Sequence, residues 1–118
     1  MNVWLVEDDD LVAIPFTMWI ERLGHVVEHY RRASEALDAL DAETPDLLIT
    51  DLTLPGMNGR DLIEQFQARV SGVPVILMSG HNVNIEELNL AQPLVFLPKP
   101  VDLERLGELL ARFAGAQH

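Results

Sequence analysis

Leu47-Leu48-Ile49-Thr50-Asp51-Leu52-Thr53-Leu54-Pro55-Gly56-Met57-Asn58-Gly59 is the stretch on which the fold turns. Its first residues are apolar at successive positions, then an acid appears, then a Pro-Gly turn. Continuous rather than alternating apolar character is what a strand covered on both faces requires, and it points to a parallel sheet with helices on either side. Val3 to Val6, Val26 to Glu28, Val73 to Met78 and Leu94 to Leu97 read as strands in the same way. The segments between them carry a helical period. Leu11, Ile14, Met18, Trp19 and Leu23 mark a first helix closed by Gly24; Ala33, Ala36, Leu37 and Leu40 a second; Leu62, Ile63, Phe66 and Val70 a third; Leu103, Leu106, Leu110 and Phe113 a last one. A fourth, around Ile85 and Leu88, is short and weak. Pro15 lies inside the first helix and predicts a kink there. Alternation of this kind means βα units in one α/β domain.

Composition narrows the function. A chain of 118 residues suits one hydrophobic core, and a 48% hydrophobic fraction is ordinary for a globular protein. The net charge of −11 disfavours direct contact with nucleic acid or an anionic membrane surface, both of which need Lys and Arg to replace counterions. Without cysteine there is no disulfide framework and no thiolate metal site, which fits a reducing, cytoplasmic setting. The N-terminus lacks the pattern of a signal peptide, and no apolar run is long enough to span a bilayer. No repeat or linker breaks the chain, so residues 1–118 are expected to form a single module.

Ligands of an open parallel sheet bind beyond the carboxyl ends of its strands. Strand one ends in Glu7-Asp8, strand three in Asp51, strand four in Ser79 and strand five in Lys99. At ~5 Å and an effective dielectric near ~20, two carboxylates repel by roughly 3 kcal/mol, so such a cluster calls for a cation. Oxygen donors alone, with no convergent His or Cys, select a hard ion, and a small open site suits Mg²⁺, with Mn²⁺ a workable substitute. His25, His29, His81 and His118 are scattered without metal spacing.

Val6-Glu7-Asp8-Asp9, Thr50 to Gly59, Met78-Ser79-Gly80 and Lys99-Pro100 resemble, in order and interval, the signature blocks of two-component response-regulator receiver domains. The resemblance spans essentially the whole chain. It implies a flavodoxin-like doubly wound sheet of five parallel strands, order 2-1-3-4-5, with five helices in three layers. It implies that Asp51 takes a phosphoryl group from a sensor histidine kinase or a histidine phosphotransfer domain. Asp8 would bind Mg²⁺ directly, Glu7 through water, and Asp51 and the backbone carbonyl of Thr53 would complete the set. Ser79 would hydrogen-bond a phosphoryl oxygen, Lys99 would ion-pair with it, and Phe96 would be the switch aromatic. Thr53 and His81 stand where the family tunes the hydrolysis of the aspartyl phosphate, and the Lys99–Pro100 bond would be cis. The implied partners are the phosphodonor and a downstream protein target, for a chain that is a monomer or a phosphorylation-dependent dimer and a regulator rather than an enzyme.

Each residue has a plainer role beside this one. Asp9 and Asp10 suit capping and the helix dipole, Asp51 a turn, Ser79 an N-cap, Lys99 and His81 a solvated surface, and Phe96 ordinary packing. Three features depart from the family pattern. Ser79 to Lys99 is about two residues short, the stretch Asn82 to Gln92 is poor in alanine, and Pro93 abuts the fifth strand. Phe96 has no phenol hydroxyl and its ring would prefer burial; Pro98 suits only an edge or a strand end. Two rivals remain at this point: a haloacid-dehalogenase-type phosphohydrolase, which wants an acid where Thr53 stands, and a pseudo-receiver that binds partners without phosphorylation.

Overall fold

A computed structural model describes residues 1–116; His118 lies outside the described residues. The strands are β1 (Asn2–Val6), β2 (Val26–Tyr30), β3 (Leu47–Asp51), β4 (Val75–Ser79) and β5 (Leu94–Pro98). All are parallel, in the order β2-β1-β3-β4-β5. The α-helices are α1 (Asp10–Arg22), α2 (Ala33–Ala39), α3 (Gly59–Arg69) and α4 (Leu103–Gly115). Strand polarity and order are those expected.

Alternate side chains of the central strands feed two core layers, as the pleat dictates. Val3, Leu5, Leu47, Ile49, Ile76 and Met78 face α1 and α4, meeting Phe16, Ile20, Leu106 and Leu110. Trp4, Val6, Leu48, Val75 and Leu77 face α2 and α3, meeting Ala36, Leu37, Leu62 and Phe66. Asp9, Asn58 and Asp102 cap α1, α3 and α4 through their side-chain oxygens, supplying acceptors for first-turn amides that the helix cannot satisfy itself.

Two expectations need correction. The fourth helix is absent: a single 3₁₀ turn, Ile85–Leu88, stands there, opened by Asn84 and closed by Asn89 in the left-handed region at φ 53°. None of the turn's residues is buried, so it lacks the apolar face that would make a helix worth ordering. Most of the residues whose period marks the first helix are also not the ones that meet the sheet. Ala13, Phe16 and Ile20 are the buried ones, while Leu11, Ile14 and Met18 are 84%, 56% and 64% exposed. The segment is apolar nearly all round, so period alone cannot say which stripe meets the sheet. The helix runs through Pro15 without ending; the missing N–H falls opposite the carbonyl of exposed Leu11, where water can serve.

Candidate functional site

Strand register brings the chemistry to one edge. Val6 lies beside Thr50, Asp51 beside Met78, and Ser79 beside Pro98, so Glu7, Asp51, Ser79 and Lys99 all leave the sheet at its carboxyl end. β1 and β3 are neighbours although β2 follows β1 in sequence, and this reversal of winding opens a crevice between Glu7 and Asp51.

Asp51 is 7% exposed and held by two donors. The Thr53 amide donates to Oδ1 at 3.0 Å, and the Lys99 ammonium donates to Oδ2. Lys99 also stands 3.7 Å from Glu7 Oε1, so one ammonium joins the two carboxylates. Lys99 is itself set by its amide, which donates to the Ser79 carbonyl at 2.8 Å, and by the Lys99–Pro100 bond, which is cis. The Gln92–Pro93 bond is cis as well, a feature the sequence did not single out. Burial alone would depress the Lys99 ammonium, but the Asp51 hydrogen bond and the charges of Glu7, Asp51 and Asp8 hold it above its ordinary value.

Glu7 is 2% exposed. Its backbone is pinned from both sides, the amide donating to the Tyr30 carbonyl at 3.0 Å and the carbonyl accepting from His29 Nε2 at 2.7 Å. Among the described residues its Oε2 is buried without a hydrogen-bond partner. Burial pushes its carboxyl from 4.5 to about 7, with Asp51 and Asp8 adding to the rise and Lys99 opposing it. Folding therefore raises this affinity for a proton: the contribution to stability is complete below about pH 4.5 and is lost as pH rises through 7. The full difference amounts to ~3 kcal/mol. In a chelator, Glu7→Gln is expected to raise Tm near pH ~8 and to leave it unchanged near pH ~5. Thermal melts at the two pH values check this; an equal gain at both would contradict it.

Asp8 is exposed at the mouth, and its charge is felt by both Glu7 and Lys99. Among the described residues no three His, Asp or Glu side chains are gathered in a ready metal cluster; the ammonium, rather than a third acid, lies between Glu7 and Asp51. The donor set nevertheless fits a hard cation, because Glu7 Oε2 is a buried oxygen still lacking a partner.

Ser79 is buried, and its Oγ accepts from the His81 amide at 3.0 Å. With that lone pair engaged, the hydroxyl hydrogen is free to donate elsewhere. The His81 side chain and Thr53 are exposed. Phe96 sits opposite Leu77, half-buried rather than buried. Pro98 ends an edge strand, where its missing donor is harmless. Asp9 and Asp10 keep their plainer roles, Asp9 capping α1 and Asp10 pairing with Arg31 at 2.7 Å.

Gly59 carries a constraint that motif matching alone did not bring out. A Cβ there would lie 2.2 Å from the Asp51 carbonyl oxygen and 2.8 Å from Leu52 Cα. Its amide donates to the Leu52 carbonyl at 2.7 Å, so the first residue of α3 rests directly on the acceptor peptide.

Comparison with known proteins agrees with this geometry. The family described as the response regulator receiver domain matches residues 3–111. The chain is 33% identical over 113 residues to the DNA-binding transcriptional regulator NtrC of Proteus hauseri, covering 94% of this chain and 24% of that protein. It is 30% identical to the transcriptional regulatory protein QseB of Escherichia coli O157:H7, covering 98% of this chain and 55% of that one. The chain thus spans about a quarter of the length of the NtrC relatives. Among solved structures, the receiver domain from the hybrid histidine kinase CckA matches at TM-score 0.81 and 29% identity, covering 96% of this chain and 98% of that one. A CheY-like receiver domain from Methylobacillus flagellatus matches at 0.85 and 26%, with the same coverage. Among the described residues no helix is long and apolar enough to cross a membrane. Sheet order, site and kinship lead to one conclusion: the chain belongs to the response regulator receiver domain family, regulatory domains that work with histidine kinases in two-component phosphorelay signalling.

Proposed function

We propose that Asp51 is the phosphoacceptor, that it takes its phosphoryl group from a phosphohistidine on a kinase or phosphotransfer domain in the cytoplasm, and that the resulting change is read by a protein partner. The observation that carries this is the meeting of Asp51, Lys99 and Glu7 at the switch point of the sheet, with an unpartnered Glu7 oxygen beside them.

Asp51 attacks phosphorus through a carboxylate oxygen. The new O–P bond forms as the P–N bond of the donor breaks, and the imidazole, protonated on its other nitrogen, leaves as a neutral ring. Thr53 N–H keeps the carboxylate aimed while Lys99 moves its donors from Asp51 Oδ2 to a phosphoryl oxygen. Ser79 donates its free hydroxyl hydrogen to another. A Mg²⁺ ion, or Mn²⁺, held by Glu7, Asp8, Asp51 and the Thr53 carbonyl, would supply the remaining charge neutralisation that a loose phosphoryl-transfer transition state needs. His81 and Thr53, flanking the entrance, would set how readily water reaches the acyl phosphate.

Incubation with Mg²⁺ and acetyl phosphate, followed by intact mass, tests the proposal. Gain of one phosphoryl group, with beryllofluoride binding in parallel, is the expected result. Neither adduct, or steady donor turnover at enzyme rates, would overturn it. Lys99→Ala is expected to slow the mass gain by roughly 10²–10³-fold. Mg²⁺ affinity should hold or rise, because a competing cation has been removed; titration of the same variant measures that.

A further inference from the structure

Between β4 and β5 the chain makes only the Ile85–Leu88 turn, and Val83, Ile85, Leu88 and Leu90 rest just half-buried on the core layer beneath α2 and α3. Polar contacts from α3 hold this segment in place. Arg60 donates from Nε and Nη2 to the Leu88 carbonyl at 3.1 and 2.9 Å. Leu88 ends the turn, so its carbonyl is one that a short helix leaves without an internal partner. Glu64, one turn along α3, fixes the guanidinium by accepting from Nη1 at 2.6 Å. Two turns along, Gln67 donates to the Ala91 carbonyl at 2.7 Å and accepts from the Ala91 amide at 2.9 Å.

Arg60 follows Gly59 directly. Gly59 touches the Asp51–Leu52 peptide with no slack, so a shift of that peptide must be taken up by the first turn of α3. Whatever α3 takes up, the guanidinium hands to Leu88, because a planar fork with two donors on one carbonyl leaves little play.

We infer that Arg60 and Gln67 form a clamp tying residues 82–92 to α3, so that this segment follows the acceptor peptide when Asp51 is phosphorylated. The inference rests on Asp51 being the phosphoacceptor. Its route is separate from Ser79 and Phe96, passing along α3 instead of through the β4–β5 edge, and it follows from a segment too short to hold itself by burial.

The test uses the full chain labelled with ¹⁵N, as wild type, Arg60→Ala, Arg60→Lys, Gln67→Ala and the Arg60→Ala/Gln67→Ala pair. Without phosphoryl mimic, the amides of residues 88–91 are expected to exchange roughly ten- to a hundredfold faster in the double variant, in proportion to the lost bonds. With Mg²⁺ and beryllofluoride, amides of residues 52–54 should shift alike in all chains. Amides of residues 84–91 should shift in wild type, less in Arg60→Lys, and little in the double variant. Undiminished shifts at 84–91 in the double variant, unchanged exchange, or no shift there in a loaded wild type would overturn the clamp while leaving the phosphoacceptor intact. Absence of loading at 52–54 in wild type would instead sink the phosphoacceptor reading and the coupling with it.

Discussion

Replacing Asp51 by Asn is expected to abolish the mass gain from acetyl phosphate while leaving the fold intact. The amide is nearly isosteric, and Thr53 N–H can still donate to its oxygen, so packing around a residue only 7% exposed should survive. The nucleophile is gone, because an amide oxygen carries no negative charge to attack phosphorus. The loss of charge has a second effect. Lys99 loses its nearest acceptor and Glu7 loses a like charge, so the Glu7 carboxyl should fall below about 7 while burial, the larger cause, keeps it raised. Mg²⁺ affinity should drop, since one of the acids that attracts the ion has been neutralised. Intact mass, circular dichroism and a Mg²⁺ titration on the same preparation separate these effects; an adduct that persists in Asp51→Asn would place the acceptor elsewhere.

The second large effect is expected at Gly59. The atoms that a Cβ would meet are backbone, at 2.2 Å from the Asp51 oxygen and 2.8 Å from Leu52 Cα, and backbone cannot turn aside as a flexible side chain can. Gly59→Ala should therefore lift the start of α3 off the acceptor peptide, breaking the bond from Gly59 N–H to the Leu52 carbonyl. Overpacking of this kind costs ~3 kcal/mol, on the order of 10 °C in Tm for a domain of this size. A nucleophile displaced by about 1 Å loses roughly a hundredfold in rate. The phosphorylation rate, measured where circular dichroism still shows a folded protein, should fall by that factor. A rate equal to wild type in the folded variant would mean that this contact does not position Asp51.

Much of the fold was legible because the strands are continuous apolar runs ending in acids, and such runs admit few sheets. Asp51 at the end of Leu47–Thr50 is the clearest case, since the acid at the strand's end also marks the site. Sequence period failed on α1, where Leu11, Ile14 and Met18 repeat as well as Ala13, Phe16 and Ile20 do, and only contact with the sheet chooses between them. It failed again at Ile85–Leu88, where a few apolar residues suggested a helix but Asn84 and Asn89 bound a single turn. The site acids and lysine could be named from the strand ends. Their mutual arrangement could not: that Lys99 joins Asp51 to Glu7 depends on side-chain geometry across long sequence separations. Gly59 and Arg60 carried a weaker signal. Glycine in a Pro-Gly-Met-Asn-Gly turn looks like turn chemistry, whereas its role is to let a helix sit against the peptide of Asp51.

The most direct measurement is chemical location of the phosphoryl group. After Mg²⁺ and acetyl phosphate, borohydride reduces an aspartyl phosphate to homoserine, and peptide mass mapping identifies the position. Homoserine at residue 51, and at no other acid, is the predicted outcome. Homoserine at Asp8 or any other aspartate, the longer 5-hydroxynorvaline at Glu7 or any other glutamate, or neither product in a chain that has gained phosphoryl mass, would contradict the account.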